Sequence, residues 1–559
     1  MQKAAGKAAP KTGAARGYRD LHEHVDELRR RGLLIEVDRP IDKDSELHPL
    51  VRWEFVGGMK EDERKAFLFK QVVDGRGRAY SFPVLVGAIA ASRAIYAVGM
   101  DVPPEEIETR WANAVRAPIP PLLVERAVCQ EVVLEGAALQ GEGNGIDRLP
   151  IPVSTPGFDS APTLTATNVI TRDPETGVQN MGTYRAALKA PDRLVVRMAT
   201  RAGGAGGYLH YQKHRKLGQK EMPCAIALGC PPCVAFVGPQ KLPVDVDELH
   251  VAGGLAGEPI RVVRAHSVDL IVPAEAEIVI EGIIDTEFCE PEAPFGESHG
   301  YVSLEEYNMP MRITAITHRC DALVLSYISQ VTPSESSVIK RVAYEPLFLA
   351  HLRDALGIRG VKRVSFHEPL TGLRRIIIVT LEKGLPRHEV WRALYGASSF
   401  RSDTGKMCVA VNEDIDPDNA DALLWAIAYR ANPVKDVKIL EPRGLGHSPD
   451  REQGGAEDSA LLVDATMKSD MPPLALPKRE FMQRARKIWE ELGLPALHPQ
   501  PPWHGYSLGD WLPVWDEAAQ RAVEGRYAEN GRLSAKRRRR AVKPETKFRP
   551  EPEDDGGKP

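Results

Sequence analysis

The middle of the chain is built from short β-type segments joined by Gly- and Pro-rich connections. Thr163–Thr167 alternates polar and apolar residues, and Val178 resumes a strand after the turn Asp173–Gly177, so this spacing predicts a β-hairpin. Ala225–Leu228 and Glu277–Gly282 are further strand candidates. Frequent Gly and Pro between the strands favour a barrel or a sandwich over a doubly wound sheet.

Helical and strand patterns flank this β-rich region on both sides. The predicted flanking elements are a helix through Leu21, Val25 and Leu28, strands at Leu34–Val37 and Pro83–Ala88, a helix at Ser337–Leu356, a strand at Arg374–Leu381 and a helix at Ala420–Arg430. This order predicts an α+β fold in which an α/β domain lies on each side of a β-rich domain.

Domain boundaries follow from a linker and from changes in composition. A Pro-rich linker lies at Pro118–Pro121, and after Gly525 the chain is polar and poor in aliphatic residues, which is typical of disorder. The predicted parts are a disordered leader at 1–17, an N-terminal α/β domain at 18–120, a β-rich domain at 121–330, a C-terminal α/β domain at 331–470, an extension at 471–524 and a disordered charged tail at 525–559.

The overall composition is that of an ordinary globular protein. Apolar residues make up 43% and charged residues 27% of the 559 residues. The 73 Lys and Arg nearly balance the 77 Asp and Glu, which argues against a general polyanion-binding role. Seven cysteines, an odd number without a signal peptide, predict reduced thiols in the cytoplasm. No apolar run approaches the roughly 20 residues needed to span a bilayer.

Two acids lie close together in the run Glu290–Tyr301. Pro294 and Gly296 stand between Glu292 and Glu297, so the run cannot form an ordinary helix. Two carboxyls on an apolar turn can have different environments, one ionised and one able to carry a proton. The alternative is an acidic surface loop without a catalytic role.

An upstream arginine, Arg185, is a candidate partner for these acids. A guanidinium is permanently charged and binds a carboxylate bidentately, so Arg185 would keep Glu292 ionised. Glu297 in an apolar pocket would then favour its protonated form and would deliver a proton to a carbon atom. The alternative is a simple salt bridge between two strands.

Histidine and cysteine pairs are weaker candidates. His210 and His214 have the spacing of one helix face, and an exposed polar face is a better interpretation than a zinc site without further ligands. Cys230 and Cys233 form a single CxxC pair with two prolines, which suits a turn better than a metal or redox site. His299 either contacts a substrate or caps the acidic turn.

Four blocks of sequence, taken in order, resemble the UbiD-like decarboxylases, which use prenylated FMN. The blocks are Asn180–Arg185, Asp269–Gly282, the Pro-Phe-Gly-Glu run Pro294–Glu297 with its two acids, and Asn412–Pro417. The similarity extends over about Tyr18 to Lys468. Because the four blocks occur in family order, the resemblance is specific.

The resemblance implies a catalytic network of Arg185, Glu292 and Glu297. Glu297 would be the acid/base that protonates the carbon vacated by carbon dioxide. Arg185 would lie against the cofactor and the substrate carboxylate, and Glu292 would hold Arg185 in place. In this family the prenylated flavin bonds covalently to the acid and accepts its electrons, a role that no amino-acid side chain can fill.

The resemblance also assigns residues to the cofactor and to a metal. Positions that match flavin-binding segments are Asn180, Thr183, Tyr184, Arg185, Met198, Ala199, Glu248 and, near the flavin phosphate, Lys406. Asn180 and Glu248 also fall on two ligands of the family's divalent cation, Mn or Mg, which K accompanies. The family's histidine ligand is missing, because its place is Ala202–Gly204 and the nearest histidine is His210.

The fold implied by the resemblance is an N-terminal α/β domain, a central split β-barrel that holds the flavin at 121–330, and a C-terminal α/β domain at 331–470 through which members form homodimers or homohexamers. The implied function is reversible decarboxylation of an aromatic, heteroaromatic or α,β-unsaturated carboxylic acid, free or as a CoA thioester. A flavin prenyltransferase would supply the cofactor.

Two alternatives stay open. An FMN-binding oxidoreductase can share the same barrel, because a fold does not fix a function; a hydride-transfer enzyme, however, has less need of a proton donor such as Glu297. A nucleic-acid-binding protein would use the basic cluster Lys536–Arg540, although that cluster lacks interleaved aromatic residues. Lys468 is expected to be solvated.

Overall fold

The computed structural model describes residues 16–198, 206–240, 242, 246–292, 294–298, 300–401, 403–444, 457–468, 473–499, 502–505, 511–524 and 526–536. The chain has a mixed α+β fold and divides into two compact units, residues 1–466 and 467–559. None of the helices in the described ranges has the length and apolar character needed to span a bilayer.

The N-terminal region packs helices against a four-stranded mixed sheet. Its helices are Leu21–Arg30, Leu47–Val56, Arg93–Met100 and Ile107–Arg116. The strand order of the sheet is Leu34–Val37, Ala66–Phe69, Val84–Val86 and Val324–Ser326. The predicted helix and both predicted strands are present, and the three residues of the helical stripe are buried. The fourth strand of the sheet comes from the range predicted for the central domain.

The leader predicted at residues 1–17 lies outside the described residues except for its last two positions. Arg16 and Gly17 belong to the described residues, and both are held by carboxylates. The Arg16 guanidinium lies 2.7 Å from Asp20, while the Gly17 amide donates to Glu258. These charge-assisted contacts tie Arg16 to the start of the first helix and Gly17 to Glu258 in the central part of the chain.

Three small sheets and five 3₁₀ turns connect the larger elements. The sheets are Ile41–Asp42, Val72–Val73 and Ala79–Tyr80; Ile271–Pro273, Arg261–Arg264 and Leu122–Leu123; and Phe295–Gly296 with Val302–Ser303. The 3₁₀ turns in the described ranges are Glu61–Glu63, Pro104–Glu106, Val128–Gln130, Gly136–Leu139 and Ile146–Arg148. The two-stranded sheet matters for function, because it carries part of the acidic run.

The central part of the chain is a ten-stranded sheet whose strand pairs are all antiparallel. The order along its continuous path is Gln179–Gly182, Thr167–Arg172, Glu221–Leu228, Ile278–Asp285, Glu306–His318, Arg193–Val196, Ala186–Ala190 and Thr163–Leu164. Val132–Glu135 and Glu290–Glu292 both pair with the long strand Glu306–His318. Antiparallel pairing rules out a doubly wound sheet here, as the sequence predicted.

The predicted hairpin is present, with one correction. Thr167–Arg172 pairs with Gln179–Gly182 across the predicted turn. The segment Thr163–Thr167 is not one strand, because its first two residues pair with Ala186–Ala190 while its last residue begins the next strand. Between them, the Thr165 hydroxyl accepts a backbone hydrogen bond at 2.8 Å, so the chain leaves the ladder at this point.

Three helices lie beside the central sheet: Gly206–Lys216, Pro232–Ala235 and Glu248–Ala256. The first packs on the two strands of the hairpin. A single continuous hydrophobic cluster includes buried residues of both the N-terminal region and the central sheet. The sheet is therefore held rigidly against the N-terminal helices, which suits a scaffold that positions side chains.

The C-terminal region is an α/β sandwich of helices on a five-stranded sheet. Its strand order is Val361–Phe366, Ile376–Leu381, Met407–Asn412, Glu457–Asp464 and Val437–Gly444. Its helices are Glu335–Ala350 with a π-helical continuation at His351–Ala355, Arg387–Ser399, Ala420–Arg430 and Pro433–Asp436. Two hydrophobic clusters cover the two faces of the sheet, and the strand and the two helices predicted for this region are present.

The second unit contains the helices Arg479–Glu491, Pro513–Val523 and Tyr527–Lys536. The last helix corrects the prediction of disorder from residue 525 onward. Asn530 Nδ2 donates to the Ala518 carbonyl at 2.7 Å, and Arg526 pairs with Glu529 at 2.9 Å, so polar side chains stabilise this helix without an apolar core. Residues 537–559, including most of the basic cluster, lie outside the described residues.

Candidate active site

The acidic run folds as short strands rather than as a helix, as its proline and glycine predict. Glu292 is the last residue of the strand Glu290–Glu292, and Glu297 directly follows the strand Phe295–Gly296. Arg185 lies in the connection between two strands of the hairpin region. The fold thus brings Arg185 to Glu292 and Glu297, two acids that lie more than a hundred residues after it in sequence.

Arg185 and Glu292 form a buried, bidentate ion pair. Arg185 Nε donates to Glu292 Oε1 at 2.6 Å, and Nη2 donates to Oε2 at 2.9 Å. Asn308 Nδ2 donates to the same Oε2 at 3.2 Å. The side chain of Glu292 is 2% exposed, and that of Arg185 is 9% exposed. Both oxygens of Glu292 are therefore occupied by donors, and the plane of the guanidinium is fixed.

Glu297 lies between two guanidinium groups. Its Oε1 contacts Arg185 Nη1, and it lies 3.1 Å from Arg197 Nη1. The expectation of an apolar pocket around Glu297 is wrong, because two guanidinium groups contact its carboxylate. The ionised form of Glu297 is stabilised by both arginines in this arrangement.

The backbone around Glu297 is fixed by a tight turn and by a neighbouring acid. Glu297 N–H donates to the Tyr301 carbonyl at 3.0 Å, and Gly300 N–H donates to the Glu297 carbonyl at 3.1 Å. Gly300 has a φ of +95°, which a residue with a Cβ rarely adopts. Gly296 N–H donates to Asp159 Oδ1 at 3.0 Å, and burial raises the pKa of Asp159. Glu297 is thus presented from a restrained loop.

The face of Arg185 is covered by an aromatic ring. The Arg185 Cζ atom lies 4.4 Å from the centroid of Phe295, within the range of a cation–π contact. Phe295 itself is buried. One face of the guanidinium is therefore apolar, while its edges point at the two acids.

Three of the residues assigned to the flavin, Asn180, Thr183 and Tyr184, lie in or just after the second strand of the hairpin next to Arg185. Asn180 Nδ2 is buried and has no acceptor within hydrogen-bond reach among the described residues. A Cβ on Gly206 would lie 1.8 Å from Asn180 Oδ1, so only glycine fits there. Thr183 N–H donates to the Gly238 carbonyl at 3.1 Å, and burial raises the pKa of Tyr184 to about 12. An unused donor beside closely approaching backbone is the kind of cradle that a polyanionic cofactor requires.

Met198, another residue assigned to the flavin, is fully buried. A Cβ on Gly207 would lie 3.1 Å from both Met198 Sδ and the Tyr184 ring, so backbone, thioether and ring are in close contact. The neighbouring Ala199, also assigned to the flavin, lies outside the described residues, as does His299.

Of the two residues assigned to the metal, Glu248 contacts the residue next to Asn180. Glu248, the first residue of its helix, accepts a hydrogen bond from Met181 N–H at 2.9 Å, directly beside Asn180. Burial raises the pKa of Glu248 to about 7. In the described part of the chain, no group of three or more His, Cys, Asp or Glu has the arrangement of a metal site. An amide oxygen and a carboxylate alone leave most positions of a hard divalent cation to other ligands.

His210 and His214 correct another expectation. Both are buried rather than on an exposed polar face, because the helix that carries them packs on the hairpin. His210 Nδ1 lies 2.9 Å from the Thr171 hydroxyl, and Thr171 is the ladder partner of Asn180. Burial lowers the pKa of His210 to about 4, so its imidazole is neutral near neutral pH.

Lys406 is not brought to Arg185 by any contact that the structure records. It lies next to the strand Met407–Asn412 of the C-terminal sheet, where its ammonium pairs with Asp458 at 2.9 Å. Its side chain is 47% exposed. The assignment of Lys406 to the flavin phosphate therefore stays a prediction.

The segment Thr332–Ser337 forms hydrogen bonds with the C-terminal region. The Thr332 hydroxyl donates to the Glu368 carbonyl at 2.5 Å, and the Ser337 hydroxyl donates to the Glu368 carboxylate.

The CxxC cysteines are buried thiols, and burial raises the pKa of both Cys230 and Cys233, which makes a reactive thiolate unfavourable.

Sequence reasoning missed Arg197, Glu306 and Asn308. Arg197 contacts Glu297, Glu306 and Glu292 at 3.1, 3.6 and 4.0 Å. None of these three residues belongs to a short motif. The only signal that could have found them is the strand register, which requires knowing which strands pair.

The comparisons with known proteins identify the family of the chain. Residues 123–331 match the model of the 3-octaprenyl-4-hydroxybenzoate carboxy-lyase Rift-related domain, and residues 338–465 match the model of the C-terminal domain of the same carboxy-lyase. The protein is thus a carboxy-lyase. The chain belongs to the UbiD family.

Solved structures share the fold over most of the chain. An evolved dimeric form of the UbiD-class enzyme HmfF from Pelotomaculum thermopropionicum, in complex with prFMN, is 28% identical, with a TM-score of 0.70 over 82% of this chain and 97% of that chain. The 3,4-dihydroxybenzoic acid decarboxylase of Klebsiella pneumoniae is 24% identical, with a TM-score of 0.69 over 83% and 99%. Vanillic acid decarboxylase of Sedimentibacter hydroxybenzoicus in open form is 22% identical, with a TM-score of 0.68 over 86% and 100%.

Proposed function

We propose that this chain is a prenylated-FMN-dependent decarboxylase of an aromatic, heteroaromatic or α,β-unsaturated carboxylic acid. The observation that carries the proposal is the position of the Arg185 guanidinium between two acids. It binds both oxygens of the buried Glu292, and it also contacts Glu297 on a restrained turn. The family membership and the prFMN complex of HmfF support the choice of cofactor. In this proposal the ten-stranded sheet is the split barrel that holds the flavin.

The chemistry needs an electron sink and a positioned proton. Loss of carbon dioxide from an sp² carbon leaves an electron pair, and the prenylated flavin supplies the sink for it when bound. Glu297 delivers the proton to the vacated carbon. Arg185 binds the substrate carboxylate on the guanidinium edge that Glu297 leaves when it turns to the substrate, and Glu292 keeps that guanidinium oriented. The two directions of the reaction use the same residues.

The residues around Asn180 fit the proposed cofactor. The unused donor of Asn180, the glycine at 206 and the buried Met198 would hold a flavin and its phosphate beside Arg185. Asn180 and the ionised Glu248 would share a divalent cation such as Mn or Mg at that phosphate, with His210 as the nearest histidine and with K as a second ion. Lys406 would reach the phosphate only after leaving Asp458.

The proposal leaves a range of substrates and partners. A free acid and a CoA thioester of an aromatic diacid both present the required unsaturated carboxylate. A flavin prenyltransferase would supply the cofactor in the cytoplasm, and the C-terminal domain would mediate a homodimer or a homohexamer. A membrane or nucleic-acid partner is not part of the proposal.

The test is to express the chain with a flavin prenyltransferase and to analyse the cofactor released from the purified protein by mass and absorption. Prenylated FMN, together with carbon dioxide release from at least one acid in an aromatic and α,β-unsaturated panel, is the expected result. Folded protein that retains only unmodified FMN, and that releases no carbon dioxide from any acid, would favour an FMN-binding oxidoreductase instead.

A further inference from the structure

Arg185 and Arg197 are direct neighbours at the open end of a second hairpin, formed by the strands Ala186–Ala190 and Arg193–Val196. The ladder pairs Ala186 with Val196, and the next pair outward is Arg185 opposite Arg197, whose N–H donates to the Arg185 carbonyl at 3.0 Å. Side chains at opposite positions of an antiparallel pair lie on the same face, and like charges there repel. This placement is unfavourable unless acids lie between the two guanidiniums.

A second antiparallel pair supplies those acids in the same way. The strand Glu290–Glu292 places Glu292 directly opposite Glu306, so two carboxylates are also neighbours. Arg197 Nη2 lies 3.6 Å from Glu306 Oε2, and its Nε lies 4.0 Å from Glu292 Oε2. The two basic positions of one ladder therefore face the two acidic positions of the other.

Glu297 adds a third carboxylate to this group. Its carboxylate contacts both Arg185 and Arg197. Uptake of a proton by Glu297 weakens both of these ionic contacts. Arg197 would still have Glu306 as an ionic partner on its other side, so protonation of Glu297 weakens only one of the ionic contacts of Arg197.

We propose that Arg197 is a positioning residue for Glu297, and this rests on the proposed role of Glu297 as proton donor. Arg197 holds the ionised carboxylate between the two guanidiniums and releases it towards the substrate when Glu297 is protonated, because Glu306 then retains Arg197. Arg185 and Arg197 contact Glu297 directly, and Glu292 and Glu306 contact these guanidiniums from behind.

The kinetic test compares variants at Arg197 in the holoenzyme. Arg197→Gln is expected to lower kcat about tenfold with a KM change of less than about twofold, because the proton step rather than binding is affected. Its kcat–pH profile should shift to higher pH, since the ionised Glu297 loses a neighbouring cation. Arg197→Lys should restore part of both effects. The matched control is Arg193→Gln, at the start of the strand that ends just before Arg197 and 47% exposed, which should leave kcat and the profile unchanged.

A second measurement keeps the inference separate from the proposed function. In the apoprotein, a double-mutant cycle of Arg197→Gln and Glu297→Gln in thermal unfolding should show non-additive shifts of the melting temperature at neutral pH. If this coupling is present but the wild-type holoenzyme decarboxylates no acid, the proposed function fails while the pairing stands. Additive shifts at neutral pH, or an unchanged pH profile in an active Arg197→Gln enzyme, would overturn the inference.

Discussion

Arg185 and Glu292, 107 residues apart in the chain, face each other in a fork-to-fork pair with N···O distances of 2.6 and 2.9 Å. Both side chains are nearly inaccessible to solvent. A buried pair of this kind is a poor source of net stability, because the desolvation of two charges offsets their attraction. Its value lies in direction: the pair aims the remaining edge of Arg185 at Glu297.

The fork geometry predicts that lysine cannot replace Arg185. A lysine ammonium is a point charge and cannot bind both oxygens of Glu292 while also reaching Glu297. Arg185→Lys should lower kcat/KM at least about a hundredfold in the holoenzyme, with retained folding. Arg193→Lys, in the same hairpin but on its exposed side, is the control and should be neutral. An Arg185→Lys enzyme with near-wild-type kcat/KM would contradict the geometric role.

The start of the helix Glu335–Ala350 is anchored by a fully buried carboxylate. Glu335 accepts hydrogen bonds from the backbone N–H groups of Gly87, Ile89 and Ala90 at 3.1, 3.0 and 3.2 Å. Glu335→Gln would set an amide donor against Gly87 N–H, which should cost about 1–3 kcal/mol of unfolding free energy. Burial raises the pKa of Glu335 to about 7, so urea unfolding is best measured above that pH.

The control for this variant is Glu125→Gln, which changes an exposed acid. The urea midpoint of Glu125→Gln should match that of the wild-type protein. If Glu335→Gln had the same midpoint as well, the three backbone contacts would not anchor the helix.

Glu248 predicts a pH dependence of stability in the apoprotein. Its folded pKa of about 7 lies above the ordinary value of 4.5, so the folded state binds the proton more tightly than the unfolded state. The contribution is present at low pH and is lost as the pH rises from about 4.5 through about 7. Glu248→Gln lacks this titration. The stability of the wild-type protein relative to the variant should therefore fall by up to about 3 kcal/mol across that window.

The measurement is urea unfolding at several pH values in the presence of a chelator, so that no divalent cation holds Glu248 ionised. Other buried acids titrate equally in both proteins and cancel in the difference. Parallel stability curves for wild type and Glu248→Gln would contradict the assignment.

Much of the local structure was accessible from the sequence. The stripe Leu21, Val25 and Leu28 predicted its helix because the apolar positions repeat with the helical period, and the turn Asp173–Gly177 predicted a hairpin from its residue types. The acidic run was recognised as non-helical from Pro294 and Gly296. These features depend on neighbouring residues alone.

Features that depend on pairing between distant strands were not accessible. Arg197 is an ordinary residue after an apolar strand, and only the register of the hairpin places it opposite Arg185. The burial of His210 follows from the packing of its helix on the hairpin, which helical spacing alone does not reveal. The contacts of Glu297 likewise could not be read from its own segment, because the second guanidinium comes from another strand.

The central claim is that Glu297 delivers the proton that replaces carbon dioxide. The direct measurement is decarboxylation in deuterated water by the holoenzyme, with carbon dioxide release and deuterium at the vacated carbon followed together, for wild type, Glu297→Gln and the exposed-acid control Glu305→Gln. The account predicts that Glu297→Gln lowers the rate of deuterated product formation at least about a hundredfold with unchanged cofactor content, while Glu305→Gln is unaffected. Wild-type rates of deuterated product from Glu297→Gln would contradict it.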